Sequence, residues 1–274
     1  MVVTKMGVID LYANRIAAHG GSRRGASHLR ESKYIHRHLP DNLSYQNVVL
    51  YTMEHGYDID LEAAQEHAVS QNVAIINSDN LNEKYIFSMP GEDIQCGSLI
   101  EWMDNHWLVS ERDANTTMYT RAKLVQCNYL LQYVGDDYVV HKQWCYIEDG
   151  TKYLTGEFED RNFVVTRGDS RLSMTIARNK HTIDFGRNER NRFIIDDPES
   201  PNHLAYTLTK PFKLGGTFNN EGVYKFVLQE VNTTDFDNLD LNIADYYKYF
   251  PVSHGSYGED YTEDESATEP KGWL

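Results

Sequence analysis

Long apolar runs are missing from this chain. No stretch of about 18 consecutive apolar residues occurs in it, so the pattern predicts no membrane-crossing helix and no membrane partner. The N-terminal stretch MVVTKMGVIDLYANRIAAHG has no basic segment leading into a long apolar one, which argues against a secretory signal. Cysteine is scarce. Cys96, Cys127 and Cys145 are odd in number and widely spaced, which excludes a disulfide framework and fits reduced thiols made in a cytoplasm. Positive charge is in deficit as well: 26 Lys and Arg face 41 Asp and Glu, for a formal net charge of −15. That balance disfavours a general nucleic-acid binder, because affinity for phosphates comes mainly from clustered cations.

Catalytic signatures are also lacking. There is no G-x-S-x-G, no phosphate-binding P-loop and no dinucleotide fingerprint. The best metal candidates are Cys127 and Cys145 with His106 or His141, but no C-x-x-C pair accompanies His141-x-x-x-Cys145 and strand alternation turns many of these side chains apart. They read as buried thiols and surface histidines. The His36-Arg37-His38 cluster reads as solvated. Asp136-Asp137 and Asp196-Asp197 fall in predicted turns, where aspartate is favoured for its backbone hydrogen bonds. The expectation is therefore no catalytic residue, no cofactor, no metal and no enzyme.

What the chain does have is short strands and aromatic side chains. From Lys84 onward the hydrophobic period is two. Ser98 to Met103 and His106 to Glu111 flank Asp104-Asn105 and predict a hairpin. Cys127, Tyr129, Leu131 and Tyr133 form one face of a strand, and Gly135-Asp136-Asp137 turns it into YVVHKQWCYI. RNFVVTR, RLSMTIA, NRFIID, LAYTLT and GVYKFVLQEV continue the series, and IADYYKYFP closes it. The fold class is mainly β, in barrel or sandwich segments, with a short helical, basic N-terminal arm. Four regions follow: a helix and basic arm over 1–45, a first barrel-like segment over 46–150, a second β segment over 151–251, and an acidic, disordered tail over 252–274. HGGSRRGASH predicts a flexible linker inside the arm, and DLEAAQEHAVSQ predicts a second helix.

Charge and aromatics mark the candidate contacts. Arg15, Arg23, Arg24, Arg30, Lys33 and Arg37 face one acid, Glu31, in an otherwise acidic chain. The arm is expected to bind an acidic surface on a neighbour and to order on assembly. Tyr246, Tyr247 and Tyr249 stand beside Phe250 and form a second candidate interface, because tyrosines supply wide amphipathic contact area. Trp102, Trp107, Val109, Tyr119, Cys127, Tyr129 and Leu131 are expected to be structural framework.

The order of these strands resembles the head–tail connector (head-closure or stopper) proteins of tailed bacteriophages. The resemblance rests on Lys84, Pro90, Gly97, Trp107-Leu108-Val109, Tyr119 and Cys127-Asn128-Tyr129-Leu130-Leu131, and on the later stretch NRFIIDDPESPNHLAYTLTKPFKLGGTFNNEGVYKFVLQEV. It covers residues 23–250, through framework strands rather than catalytic signatures. It implies a structural virion protein, assembled in the host cytoplasm, that forms a ring of identical subunits below a portal or adaptor protein. Such a ring closes the DNA channel, docks a tail terminator or other tail protein, and lets genome DNA pass without sequence-specific binding. Two other readings stand beside it: another ring-forming tail component, such as a terminator or baseplate protein, and a carbohydrate-binding or carbohydrate-processing β-protein.

Overall fold

Residues that alternate between two environments build this molecule, and over part of one barrel wall both environments are dry. A computed structural model describes residues 8–113, 118–150, 171–186, 190–196, 203–212, 217–218 and 221–251. The predicted strand RNFVVTR and the acidic tail over 252–274 lie outside the described residues.

Six antiparallel strands close into a barrel: β1 (Tyr45–Tyr51), β2 (Val69–Asn77), β3 (Glu83–Ser88), β4 (Leu99–Trp102), β5 (Asn105–Arg112) and β6 (Arg121–Gln126), in the order β1-β2-β3-β6-β5-β4 with β4 returning to β1. Val48, Leu50, Val73, Ile75, Ile86, Ile100, Trp107, Val109 and Leu124 fill its interior. The alternate residues of the same strands point outward. Tyr51, Leu99 and Leu108 meet Cys127, Ala177 and Val223 in a separate core. Register makes both cores at once: Ile100 pairs with Trp107 inside the barrel, and Leu99 pairs with Leu108 outside it.

The outer partner is a seven-stranded antiparallel sheet. It contains β7 (Tyr129–Val134), β8 (Val140–Asp149), β9 (Arg171–Ala177), β10 (Arg192–Ile194), β11 (Ala205–Phe212), β12 (Thr217–Phe218) and β13 (Glu221–Val231), ordered β10-β11-β13-β9-β8-β7 with β12 beside β13. Leu131, Tyr133, Met174, Ile176, Phe185, Phe193, Tyr224 and Phe226 form its core. The sheet curls until its edges nearly meet. The Tyr129 hydroxyl on β7 donates to the carbonyl of Ile194 on β10 at 3.2 Å, and the Asp196 amide donates back to it at 3.4 Å. Barrel and sheet touch backbone to backbone at Gly97 and Gly222. Gly97 has φ +90, and a Cβ there would collide with the Gly222 carbonyl, so only glycine permits the approach.

Mainly β architecture with a helical N-terminal region is thus what the chain adopts. Four local expectations need correction. The stretch read as a flexible linker is a turn at Gly20-Gly21 followed by a helix. Helices α1 (Val8–Ala18) and α2 (Arg23–His38) follow one another across that turn, and Ser22 caps α2 by accepting the Gly25 amide at 3.0 Å. DLEAAQEHAVSQ contributes a single helical turn, α3 (Glu62–Gln65); Val69 and the residues after it pair with β1, whose backbone groups would otherwise be unsatisfied in a closed barrel. The β4–β5 turn is centred on Met103 and Asp104, both at positive φ (51 and 57), one residue earlier than expected. Strands β7 and β8, within the expected first segment of 46–150, belong to the second sheet, where β7 pairs with β8 and β8 with β9. The barrel itself ends at Gln126.

Trp107 is 4% exposed and Val109 fully buried, both inside the barrel as their shared face predicts. Trp107→Ala is expected to cost about 3–5 kcal/mol, the range for deleting a large buried aromatic. Chemical denaturation of the variant checks this, and an unchanged midpoint would place the indole outside the core.

Candidate functional site

The predicted contact residues divide into two surfaces. Arg15 lies in the last turn of α1, and the other cations ride on α2. Arg23, Arg30, Lys33 and Arg37 recur at helical spacing, so they form one basic stripe, with Arg24 beside it; all are exposed. No residue of α2 is buried. On α1, Ile9, Tyr12 and Ile16 form an apolar stripe at 82%, 66% and 40% exposure. Helix α1 thus carries an apolar face that the body of the protein does not cover.

Tyr246, Tyr247 and Tyr249 form the short helix α4 (Tyr246–Tyr249). It is held by an ion cluster that sequence reasoning missed. The Arg192 guanidinium on β10 reaches Asp237 at 2.9 Å and Asp245 at 2.8 Å, and also donates to the Asn232 carbonyl at 3.1 Å. Asp237 accepts in addition from the amides of Thr234 and Asp245, each at 2.8 Å. Burial works against the Asp237 carboxylate, but these donors outweigh it and hold its pKa below the ordinary 3.8. Tyr249 packs under Arg190 and against Tyr138, while Tyr246 stacks near Phe250. Tyr246 also meets Tyr247 edge-on with ring centroids 5.3 Å apart.

Trp102 packs half-buried against the barrel core, and Tyr119 lies beside Phe87. Tyr129 and Leu131 belong to the sheet core. The three cysteines are buried free thiols: burial pushes Cys96 up to about 11 and Cys127 up to about 12, and Cys145 well above its usual value. His106 stacks on Trp144 with ring centroids 4.2 Å apart, so it does not join the cysteines.

His141 goes elsewhere, to a constellation that distant loops assemble. It leaves β8 beside the turn holding Asp137, and its Nδ1 meets Asp58 Oδ2 at 2.5 Å. Asp58 sits at φ 49 in the connection leaving β1 and is itself fixed by the Lys142 amide at 2.5 Å and through its own amide to the Lys142 carbonyl at 2.7 Å. His141 Nε2 lies 3.0 Å from each carboxylate oxygen of Asp137. The His181 ring stacks on His141 at 3.9 Å, and Tyr57 meets both rings edge-on. Beneath them Asn179 accepts from the amides of His181 at 2.9 Å and Thr182 at 2.8 Å, and donates to Gln143 at 2.8 Å.

Electrostatics set the two histidines apart. Burial opposes a charge on His141, yet Asp58 and Asp137 raise its pKa above 6.5. Burial lowers His181 to about 4, and the neighbouring His141 pushes the same way. Asp137, expected only to shape a turn, does accept the Val139 amide at 3.2 Å there, but it also faces both imidazoles. Asp137, His141 and His181 bring ligand-type atoms within 4.8 Å of one another. The sequence offered no spacing signal for this group, because Asp58 and His141 are separated by 83 residues.

Residues 34–126 match the family model of the YomX N-terminal domain. The name is a phage-associated one. The matched segment runs from the second half of α2 to Gln126, the last residue of the barrel's closing strand, so it corresponds to the barrel and its entry helix. Comparison with curated proteins and with solved structures gave no match.

The Arg192 cluster makes a pH-dependent claim. Because the folded pKa of Asp237 is depressed, its contribution is fully present above the unfolded value near 3.8 and is lost as pH falls through the lower folded one. Asp237→Asn should destabilise the chain by about 3 kcal/mol at pH 7, as breaking a buried pair does. The difference from the unsubstituted protein should shrink below pH ~3.8, where Asp237 itself takes up a proton. Urea denaturation at both pH values measures it, and a difference that holds constant on acidification would show that the Asp237 charge is not what matters.

Proposed function

We propose that this chain is a structural phage protein that works by assembly rather than catalysis, as a ring-forming component of the head–tail connector. The observation that carries the reading is the exposed pair of helices α1 and α2. The apolar stripe of Ile9, Tyr12 and Ile16 on α1 is left to solvent, and α2, which follows it, bears the basic stripe from Arg23 to Arg37. A soluble chain that leaves such a face open loses the hydrophobic stabilisation of covering it, unless a neighbour does so.

The occupant is a second copy of this chain. The formal net charge of −15 already includes the basic helix α2, so the remainder is more acidic still and is complementary to it. A basic element on one face docking to an acidic surface elsewhere on the next copy is a heterologous contact, the kind that closes into rings. The acidic surface outside these helices would let a channel pass DNA without holding it, since phosphates would find few cations there to release their counterions. The phage-associated match over residues 34–126 and the framework resemblance to connector proteins support the same reading. Portal or adaptor protein above and tail protein below are the further partners it implies, with the virion neck as its place.

Light scattering and electron microscopy of the purified full chain, alone and mixed with the portal protein of the same phage, test this. Annular oligomers are expected for the full chain. Chains lacking residues 1–38, or carrying Arg23→Glu with Arg24→Glu, should stay monomeric with a nearly unchanged melting temperature, because no residue of α2 is buried. A full chain that remains monomeric under both conditions, or an oligomer indifferent to these changes, overturns the proposal.

A further inference from the structure

We infer that Asp137, His141 and His181 form a binding site for a divalent transition-metal ion, with zinc the best fit to the donor set. The site is independent of the assembly reading and stands or falls without it. Sequence reasoning expected no metal because it weighed His141 only with cysteines. The fold turns His141 away from Cys145 and towards a second histidine and a carboxylate that no short spacing connects.

Three features make this a built site rather than a chance meeting of polar side chains. The first is the orientation of His141. Asp58 holds its Nδ1–H at 2.5 Å, and Asp58 is pinned in turn by the backbone of Lys142. A carboxylate on one ring nitrogen fixes the tautomer that leaves the other nitrogen's lone pair for a metal and raises its basicity. In the metal-free chain that position is occupied by a proton shared with Asp137, which a cation would displace.

The second is His181. It is 8% exposed, yet its Nε2 makes no hydrogen bond among the described residues. A buried ring nitrogen without a partner costs free energy, and this one belongs to a residue whose backbone is held by the Asn179 network. The surrounding order is spent on placing a group that none of the described residues then uses.

The third is composition and room. Two imidazoles and one carboxylate suit zinc and its neighbours, whereas calcium and magnesium favour oxygen donors throughout. The three ligand-type atoms already lie within 4.8 Å of one another. Metal–ligand bonds of about 2.0–2.2 Å ask these atoms to draw together, and ask the His181 ring, stacked on His141 at 28°, to tilt until both ring lone pairs meet at one ion. Asp137 can move in, since its side chain is 45% exposed on a turn rather than locked in the core. The ion would join the β7–β8 turn, β8 and the segment following β9. Asp58 behind His141 extends that brace to the barrel.

Full-length chain stripped with chelator and dialysed is titrated with Zn2+ by calorimetry, and the bound metal is counted by elemental analysis. One ion per chain is expected, with a melting temperature that rises on binding. Asp137→Asn and His181→Gln should each weaken binding by about 10-fold or more. Each variant loses contacts of its own, Asp137 to His141 and the His181 ring to His141 and Tyr57, so each is first shown to be folded when metal-free by its melting curve, and the binding loss is read on the folded variant. His36→Gln with His38→Gln, at the exposed end of α2, should bind as before. Co2+ in place of Zn2+ should give the strong visible absorption of a four-coordinate ion, absent in His181→Gln. Absence of stoichiometric binding, or binding that survives both site substitutions, overturns the inference.

Discussion

The wall of the barrel formed by β1, β4 and β5 is dry on both sides, and the rest of the molecule is arranged around that constraint. A barrel strand normally offers one face to the interior and one to water. Here Ile100 and Trp107 face inward while Leu99 and Leu108, their sequence neighbours, are covered by the second sheet. A slip of one residue would leave chemically similar side chains on each face, so alternation alone specifies the register weakly. Register must be fixed by other means. The Met103-Asp104 turn sets the hairpin, a bulge at Ser110 interrupts β5, and the glycine contact between Gly97 and Gly222 sets how close the two bodies come.

That double burial also explains what was legible in the sequence. The strands of the β4–β5 hairpin and of β7, β9 and β13 announced themselves through period two and turn residues, because local pattern and tertiary demand agree there. The stretch from Asp60 to Gln71 misled because glutamate, alanine and glutamine favour helix locally, while barrel closure claims Val69 onward for β2. Glycine near Arg23 looked like a linker. Gly25 instead sits where α2 crosses the Gly20 backbone, a position with no space for a side chain. Framework positions such as Trp107 and Leu131 could be read one at a time. The Asp58–His141–His181 group could not, since each member is unremarkable until three connections converge.

Convergence of that kind has a cost in the free chain. His141 is held between carboxylates at 5% exposure, and His181 is kept neutral beside it. Buried polar groups of this sort destabilise unless fully satisfied, and a chain interested only in packing would place apolar side chains there. The Arg192 cluster offers the contrast. There every carboxylate oxygen of Asp237 has a donor, and the result is a tie that fastens residues 232–250 to β10. Among the described residues, one cluster is complete and the other leaves His181 Nε2 without a partner.

The seam in the second sheet has a mechanical meaning. Among the described residues its edge strands β7 and β10 approach closely but exchange no ladder of backbone bonds; the Tyr129 hydroxyl spans the gap, and an ion pair between Asp136 and Arg190 stands beyond it. The six-stranded barrel is a closed hoop, in which any widening must break several backbone bonds together. The sheet is a split hoop, which can spring at one place by giving up side-chain contacts. Stress applied to the molecule would therefore be taken up as a hinge-like breathing along that slit, while the barrel moved as a stiff body.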